Sequence, residues 1–595
     1  MTLDISILAL TLALVASPLG AANRDKLATA FAEVANLFDA YVEKQHMRGA
    51  AMGIIVDGKL VWTRTTGLQS LDGAPVSLDT RFRIASMTKS FTAASILQLR
   101  DEKKLSLDDP VAKYIPELAK LTPLTSDAPV LTIRHLLTHS EGFPEDNPWG
   151  DRQLGRANEQ MSAWMKAGIP FSTTTGTAYE YSNYGFSILG QIVARVSGIP
   201  YDVYVTKKIL EPLGMTSSTF HVASVPAEKK AIGYRWQDDQ WIDEPILPHG
   251  AFGAMGGLWT TIPDLSKWVA FLMSAYPPRD GADNVPLKRS SAREMQELAR
   301  FNRSFTRRTS VDAPLQLSAS GYGYGLGVST DCRFKHIVSH GGGLPGYGSL
   351  MTWLPQHGVG LVFMSNRTYG SAGTLFFDTL DALKKTDAMP ARTPTPAPAL
   401  LAMQREASSL LTQWNDAAAA KVVADNFFLD KTAARWKKET TDLAEKHGKC
   451  TMGAIDPENA LRGRWRLTCE RGWIDVFMTL APTPHPTIQA LTASSVLPPN
   501  ASLSAALATA LKPANTDAFV ADFDHAKLKR QLAALEMGWG QCAQTDPLRG
   551  DGALHVAMKL ACEKGAAVAD VELDESSKKI KSVEILPSAD QPCVP

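Results

Sequence analysis

At 595 residues the chain exceeds what one hydrophobic core usually supports, so a large domain plus at least one more is expected. Its 61 basic and 61 acidic side chains cancel, which removes the electrostatic argument for nucleic acid as a partner. No phosphate-binding glycine loop and no helix-borne metalloprotease motif occurs in it.

Residues 5–16 form an apolar run broken only by Ser6 and Thr11, and Gly20-Ala21-Ala22 follows with small side chains, the pattern of a secretion signal cut after Ala22. The run starts beside Asp4 with no lysine or arginine, which departs from that pattern. It is short for a membrane span, and no later stretch reaches the roughly eighteen apolar residues required. The mature chain is therefore expected to be soluble, and periplasmic or secreted. Between Asn23 and Gln45, Leu27, Phe31, Val34, Leu37, Phe38 and Val42 recur at three and four, which predicts a helix burying one face. Apolar runs at 51–56 and 60–65 flank Asp57-Gly58, a two-residue hairpin signal. Helix followed by hairpin suggests an antiparallel sheet with a helix on one face.

The stretch Ser86-Met87-Thr88-Lys89 opens the next apolar run. If a helix begins there, the serine and lysine lie on one face one turn apart, a nucleophile beside a base. Burial and the positive end of the helix would both lower the Lys89 pKa. The spacing recurs at Ser576-Ser577-Lys578-Lys579 in a charged stretch, so it identifies no nucleophile by itself. Residues 131–140 read as a compact helix carrying His135 and His139 one turn apart; without a third ligand or a general-base glutamate nearby, a structural role is the better reading. Pro144 and Pro148 then open a polar loop. In Tyr179-Glu180-Tyr181-Ser182-Asn183-Tyr184-Gly185, Tyr181 and Asn183 project the same way from an extended segment ahead of a helical pattern. The third stretch, Ser339-His340-Gly341-Gly342-Gly343-Leu344-Pro345-Gly346, could bring backbone N–H groups close to a ligand, or be a glycine-rich turn between strands.

Together and in this order, the three stretches resemble the class C β-lactamase, penicillin-binding-protein and D-aminopeptidase group of serine hydrolases, over about residues 23–385. The resemblance implies an α+β fold, an antiparallel sheet flanked by helices with an all-helical region beside it. It makes Ser86 the acylated nucleophile, Lys89 its proton acceptor and Tyr181 a second acid or base that relays the proton to the leaving group. Asn183 would hold Lys89 and the substrate amide. The oxyanion hole would be formed by the N–H groups of Ser86 and Gly343, next to Gly342. No metal or organic cofactor is implied. The departure is at the third motif, where His340-Gly341-Gly342 replaces the Lys-Thr-Gly of β-lactamases and many DD-peptidases. That weakens the grip on a substrate carboxylate and favours an esterase or an amidase/peptidase, perhaps for a D-residue, over a β-lactamase or DD-peptidase. The alternative of another class is a penicillin-binding-type sensor without turnover. A histidine at 340 would make activity sensitive to pH around neutrality. Glu141, where relatives commonly carry a small polar residue, could attract a substrate ammonium.

The hydrolase domain is expected over 23–388, followed by a proline-rich linker over 389–402. The remaining chain repeats. Gly448-Lys449-Cys450, Arg462-Gly463 and Thr468-Cys469-Glu470-Arg471-Gly472 are matched by Gly540-Gln541-Cys542, Arg549-Gly550 and Ala561-Cys562-Glu563-Lys564-Gly565. This gives two small α+β modules, 403–497 and 498–595, each of helices followed by alternating strands. The repeat favours pairing Cys450 with Cys469 and Cys542 with Cys562, which calls for an oxidising compartment. Cys332 and Cys593 are left over, either bridged or free. The oligomeric state is not encoded in any motif.

Overall fold

The computed structural model describes residues 23–283, 285–307, 316–513 and 516–588. The expected signal segment, residues 1–22, and Cys593 lie outside these. The chain divides into two compact units, the first ending at Arg392 and the second starting at Thr393. Of the described residues, 305–307, 316–318 and 331–333 also group with the second.

The first unit is built on an antiparallel sheet whose strands run in the order Lys59–Gly67, Gly49–Val56, Val359–Ser365, Tyr347–Leu354, Ile337–Leu344 and Gly327–Asp331. Asp57 and Gly58 both take positive φ, 46° and 76°, so the expected hairpin turns through a pair of left-handed residues that match strand twist. Gly49–Val56 is buried along its whole length because helices cover both faces. On one face lie Phe31–Lys44 and Gly373–Lys384, joined to the sheet through contacts such as Phe38 on Phe363. On the other lies Ile262–Met273 and then a helical region that holds the largest core. Within that region Thr88–Asp101 is buried on all sides from Thr88 to Leu99, so it is a central helix and not an amphipathic surface one. Asn183–Ser197 starts at the N-cap Ser182, whose hydroxyl accepts the Gly185 N–H, and stops at Gly198 in the left-handed region.

Two local expectations change. The helix expected at 131–140 covers only Ile133–Leu137, and His139 beyond it has φ 53°, so His135 and His139 do not share a helical face. Residues 340–343 form part of the strand Ile337–Leu344 and not a turn; the reversal comes at Pro345-Gly346. Here the glycines serve close packing. A Cβ at Gly342 would stand 2.2 Å from the Ile84 carbonyl oxygen, which draws this strand against the segment leading to Ser86.

The second unit contains both repeats. Pro398 opens the helix Pro398–Thr412, so the extended linker ends before it. Each repeat lays helices on an antiparallel meander and has its own apolar core, around Trp436 and Trp465 in one and around Leu507 and Leu560 in the other. In Trp473–Leu480 every second residue is buried, as a strand with one covered face requires. The meanders merge into one nine-stranded sheet through a parallel pairing of Ile488–Leu497 with Cys542–Asp551. Disulfides join Cys450 to Cys469 and Cys542 to Cys562, each across paired strands. Cys332 is also disulfide-bonded. No helix among the described residues is long and apolar enough to cross a membrane.

Candidate active site

The chain reaches Ser86 through the short strand Phe82–Arg83 and then Ala85, whose φ of 49° is in the left-handed region that a Cβ disfavours. That turn passes through Ala85–Met87 directly into the helix Thr88–Asp101. It presents the serine at the positive end of the helix with Lys89 one turn further on.

Lys89 is fully buried, and its Nζ meets three oxygens: Ser86 Oγ at 3.1 Å, Asn183 Oδ1 at 2.7 Å and the Met255 carbonyl at 3.0 Å. A neutral amine has two N–H groups and one lone pair. With the N–H groups donated to Asn183 and Met255, the lone pair is left facing the Ser86 hydroxyl, which donates to it. Burial lowers the Lys89 pKa to about 7, against the opposing pull of Asp151 and Asp146. Lys89 Nζ is also flanked by rings, 4.7 Å from the centre of Tyr181 and 5.7 Å from that of Phe186.

Tyr181 shares a hydrogen bond with the Ser86 side chain, and burial pushes its phenol well above the usual 10. It is therefore a neutral O–H at ordinary pH, so of the two groups touching Ser86 only Lys89 can open as the base. His139 sits beneath it, fully buried, 4.3 Å from the Tyr181 ring and 4.6 Å from that of Tyr322. Its Nδ1 accepts the Ser182 N–H at 3.1 Å, fixing the chain between Tyr181 and Asn183. Asp146 accepts the N–H groups of Asn183 and Tyr184 at 2.7 and 2.8 Å and caps the same helix start.

Asn183 has both ends of its amide engaged inside the protein. Its Oδ1 accepts from Lys89, and its Nδ2 donates to Asn147 Oδ1 at 2.5 Å and towards Asp151 at 3.5 Å. It holds Lys89 as expected but has no N–H left for a substrate amide. His340 also differs from expectation. Its Nδ1–H donates to the Gly341 carbonyl at 2.6 Å, so Nε2 is the bare nitrogen that accepts the Tyr322 hydroxyl at 2.8 Å. Burial, with Lys89 nearby, lowers its pKa to about 3, and the ring stays neutral near pH 7 instead of titrating there. Glu141 is buried completely and lies against Gly185, outside the cleft lining; burial raises its pKa well above the usual 4.5 and keeps it neutral, so it offers no charge to an ammonium.

The cleft above Ser86 has a volume of about 490 Å³. Ser86, Tyr181, His340 and Gly343 line it, while Lys89 and Asn183 lie behind them and Gly342 packs against Ile84. Glu145 and Asp151 add carboxylates to the lining, and among the described residues neither lysine nor arginine lines it. Tyr369 closes one side, donating to Asp151 at 3.1 Å. The Met255 carbonyl, Asn147, Asp151, Tyr322 and Tyr369 were not foreseen from the sequence, and no local pattern marks them. His139 lay in view, but its partner is the tyrosine and not the other histidine. This arrangement can deprotonate a serine in a water-poor setting and hold a neutral phenol ready to donate.

Sheet, helical region and serine–lysine pair together define a β-lactamase/transpeptidase-like α+β protein. The chain belongs to the Beta-lactamase family, whose model matches residues 34–383. Protein flp of Staphylococcus aureus (strain NCTC 8325 / PS 47) is 28% identical over 346 residues, 56% of this chain. The match spans 62% of the length of that curated relative. An uncharacterized protein of Mycobacterium tuberculosis is 28% identical over 340 residues, 52% of this chain and 82% of that one. Among solved structures, the octameric penicillin-binding protein homologue from Pyrococcus abyssi aligns over 94% of this chain and 98% of its own, at 19% identity and a TM-score of 0.49. The penicillin binding protein from Bacillus halodurans aligns over 58% and 99%, at 24% identity and a TM-score of 0.45.

Proposed function

We propose that this protein is a serine acyl hydrolase that cleaves an ester or a small amide or peptide through an acyl-enzyme on Ser86. The observation that carries the reading is a buried Lys89 Nζ within 3.1 Å of Ser86 Oγ and held by Asn183 Oδ1 and the Met255 carbonyl, so that the neutral amine, giving its two N–H groups to those oxygens, keeps its lone pair for the Ser86 hydroxyl. In the first step the Ser86 proton moves to Lys89 Nζ as Oγ bonds to the substrate carbonyl carbon, and the oxyanion is met by the N–H groups of Ser86 and Gly343. The proton then passes from Lys89 through the Tyr181 hydroxyl to the leaving oxygen or nitrogen as that bond breaks. Water repeats the sequence on the acyl-enzyme, releasing the acid and restoring the Ser86 hydroxyl.

The electrostatics favour neutral or cationic substrates over β-lactams and peptides ending in a free carboxylate. A carboxylate entering the cleft would meet Glu145 and Asp151 and find a neutral His340 where the family's lysine stands. Two disulfides in the C-terminal repeats are compatible with a periplasmic or secreted location, which we propose with the activity. The test compares the protein with its Ser86→Ala variant on a short-chain nitrophenyl ester, a D-alanine nitroanilide and a cephalosporin. Ser86-dependent turnover of the ester or the anilide is expected. Cephalosporin turnover above both would overturn the specificity, and a stable acyl-enzyme without product would make the protein a penicillin-binding-type sensor.

A further inference from the structure

A second cavity, of about 440 Å³, adjoins the cleft. The two share a wall made by two short stretches of chain whose residues face opposite sides. Glu145 lines both cavities, Asp146 lines only the second, and Asn147 lines only the cleft. In the other stretch Tyr181 faces the cleft, while Ser182 and Tyr184 line the second cavity. The chamber thus begins where the carboxylate of Glu145 ends the cleft.

Its character is opposite to that of the cleft. Phe143, Trp149, Trp164, Ala167, Ile169 and Tyr184 supply an apolar surface. The Asp146 oxygens are taken by the N–H groups of Asn183 and Tyr184. The aromatic rings brace one another, Trp149 5.5 Å from Trp164 and 6.3 Å edge-on to Tyr184, which itself stacks on Phe252 at 5.4 Å. The chamber is therefore shaped before anything enters it. Trp149 remains 47% exposed at its mouth, a large apolar side chain left facing water beside a catalytic cleft.

We propose that this chamber takes an apolar group, best an aromatic ring, belonging to the substrate whose carbonyl is attacked by Ser86. The inference rests on the hydrolase reading above and adds to it the substrate's second anchor: a polar scissile group in the acid-lined cleft, and a ring across residues 145–147. Burying such a ring is worth roughly tenfold to a hundredfold in kcat/KM.

The ring could be carried by the acyl group or by the leaving alcohol, and two substrate pairs separate these. Nitrophenyl acetate against nitrophenyl phenylacetate tests the acyl side; ethyl acetate against benzyl acetate tests the alcohol side. One pair should show at least a tenfold preference for the ring. That preference should fall towards unity both in Trp149→Ala, which removes a wall, and in Ala167→Phe, which fills the mouth from an exposed position, with turnover of ethyl acetate, which carries no ring, unchanged. Ser86-dependent acetate turnover with no preference in either pair, or a preference surviving both variants, overturns the chamber while leaving the hydrolase intact. If no ester is turned over the hydrolase reading fails, and calorimetric titration of phenylacetamide into Ser86→Ala protein judges the chamber alone. Binding weakened by Trp149→Ala and Ala167→Phe supports it; no binding, or binding indifferent to both, overturns it.

Discussion

The first unit and the C-terminal repeats solve the problem of a stable interior in different ways. The first buries a lysine, two histidines, a glutamate and an asparagine: Lys89, His139, Glu141 and Asn183 completely, and His340 at the wall of the cleft. From Pro398 to Ser588 the buried polar side chains among the described residues are Gln404, Ser408, Thr440, His447 and Ser588, with no carboxylate or lysine in the set. His447 there is satisfied at both ring nitrogens, by the Arg471 carbonyl and Ser495 Oγ, and two disulfides staple the strands. Burying an ionisable group has an energetic cost, and proteins keep such groups where their altered pKa is used. The contrast is between a region built to hold a base in its neutral form and a region built to hold together.

Removing the nucleophile is the strongest way to break that comparison. Ser86→Ala should lower turnover by about 10⁴-fold or more with unfolding unchanged, measured by ester hydrolysis beside thermal melts. Lys89→Met should have a similar effect, and the double variant little more, because the two act as a unit. Tyr181→Phe should cost roughly 10²- to 10³-fold, as loss of a proton donor does, with a smaller effect when the leaving group is nitrophenolate, which needs no proton.

The pH profile sharpens it next. Lys89 accepts a proton only when neutral, so kcat/KM for a neutral ester should rise as pH increases through about 7 and then level off. His340, with its pKa near 3, contributes no limb in that range. The rise should persist in His340→Asn; its disappearance there would give the limb to the histidine.

Stability separates the two regions in the opposite sense. Replacing Cys450 and Cys469 together by serine opens a loop spanning 19 residues. By loop entropy this should destabilise the repeat by about 3 kcal/mol in denaturant titration, with Ser86-dependent turnover unchanged. The smallest effect is expected at Glu141, which is buried, neutral and without a hydrogen bond to either carboxyl oxygen. Its pKa is raised in the folded state, so above the unfolded value of about 4.3 the unfolded chain gains by ionising it, and folding loses stability as pH rises from there. Glu141→Met should stabilise by about 1–3 kcal/mol at pH 7 and by less at pH 4.

Most of what could be read ahead of the structure came from signals that are local or that recur. Asp57-Gly58 announces its hairpin because few dipeptides accept two positive φ angles. Ser86 and Lys89 announce themselves because helix geometry brings residues three apart to one face. The cysteine pairs follow from a repeat whose register holds, and both bridges lie where it put them. The length of the helix at 133–137 and the strand at 340–343 were misjudged, since Thr138, His139 and the glycines take their conformations from what packs against them.

What the sequence determined alone is the chemical inventory: serine, lysine and tyrosine in order, a histidine in place of a third-motif lysine, and two stapled repeats. What only the tertiary structure decided is the state of those groups. Lys89 faces a carbonyl 166 residues away and an amide 94 residues away, and no pattern along the chain encodes that meeting. His340 is neutral because burial and the nearby Lys89 make it so, and the chamber beside the cleft exists because separate segments fold around one space. A pKa and a cavity are properties of neighbours and of excluded water, and a chain acquires both only when it closes on itself.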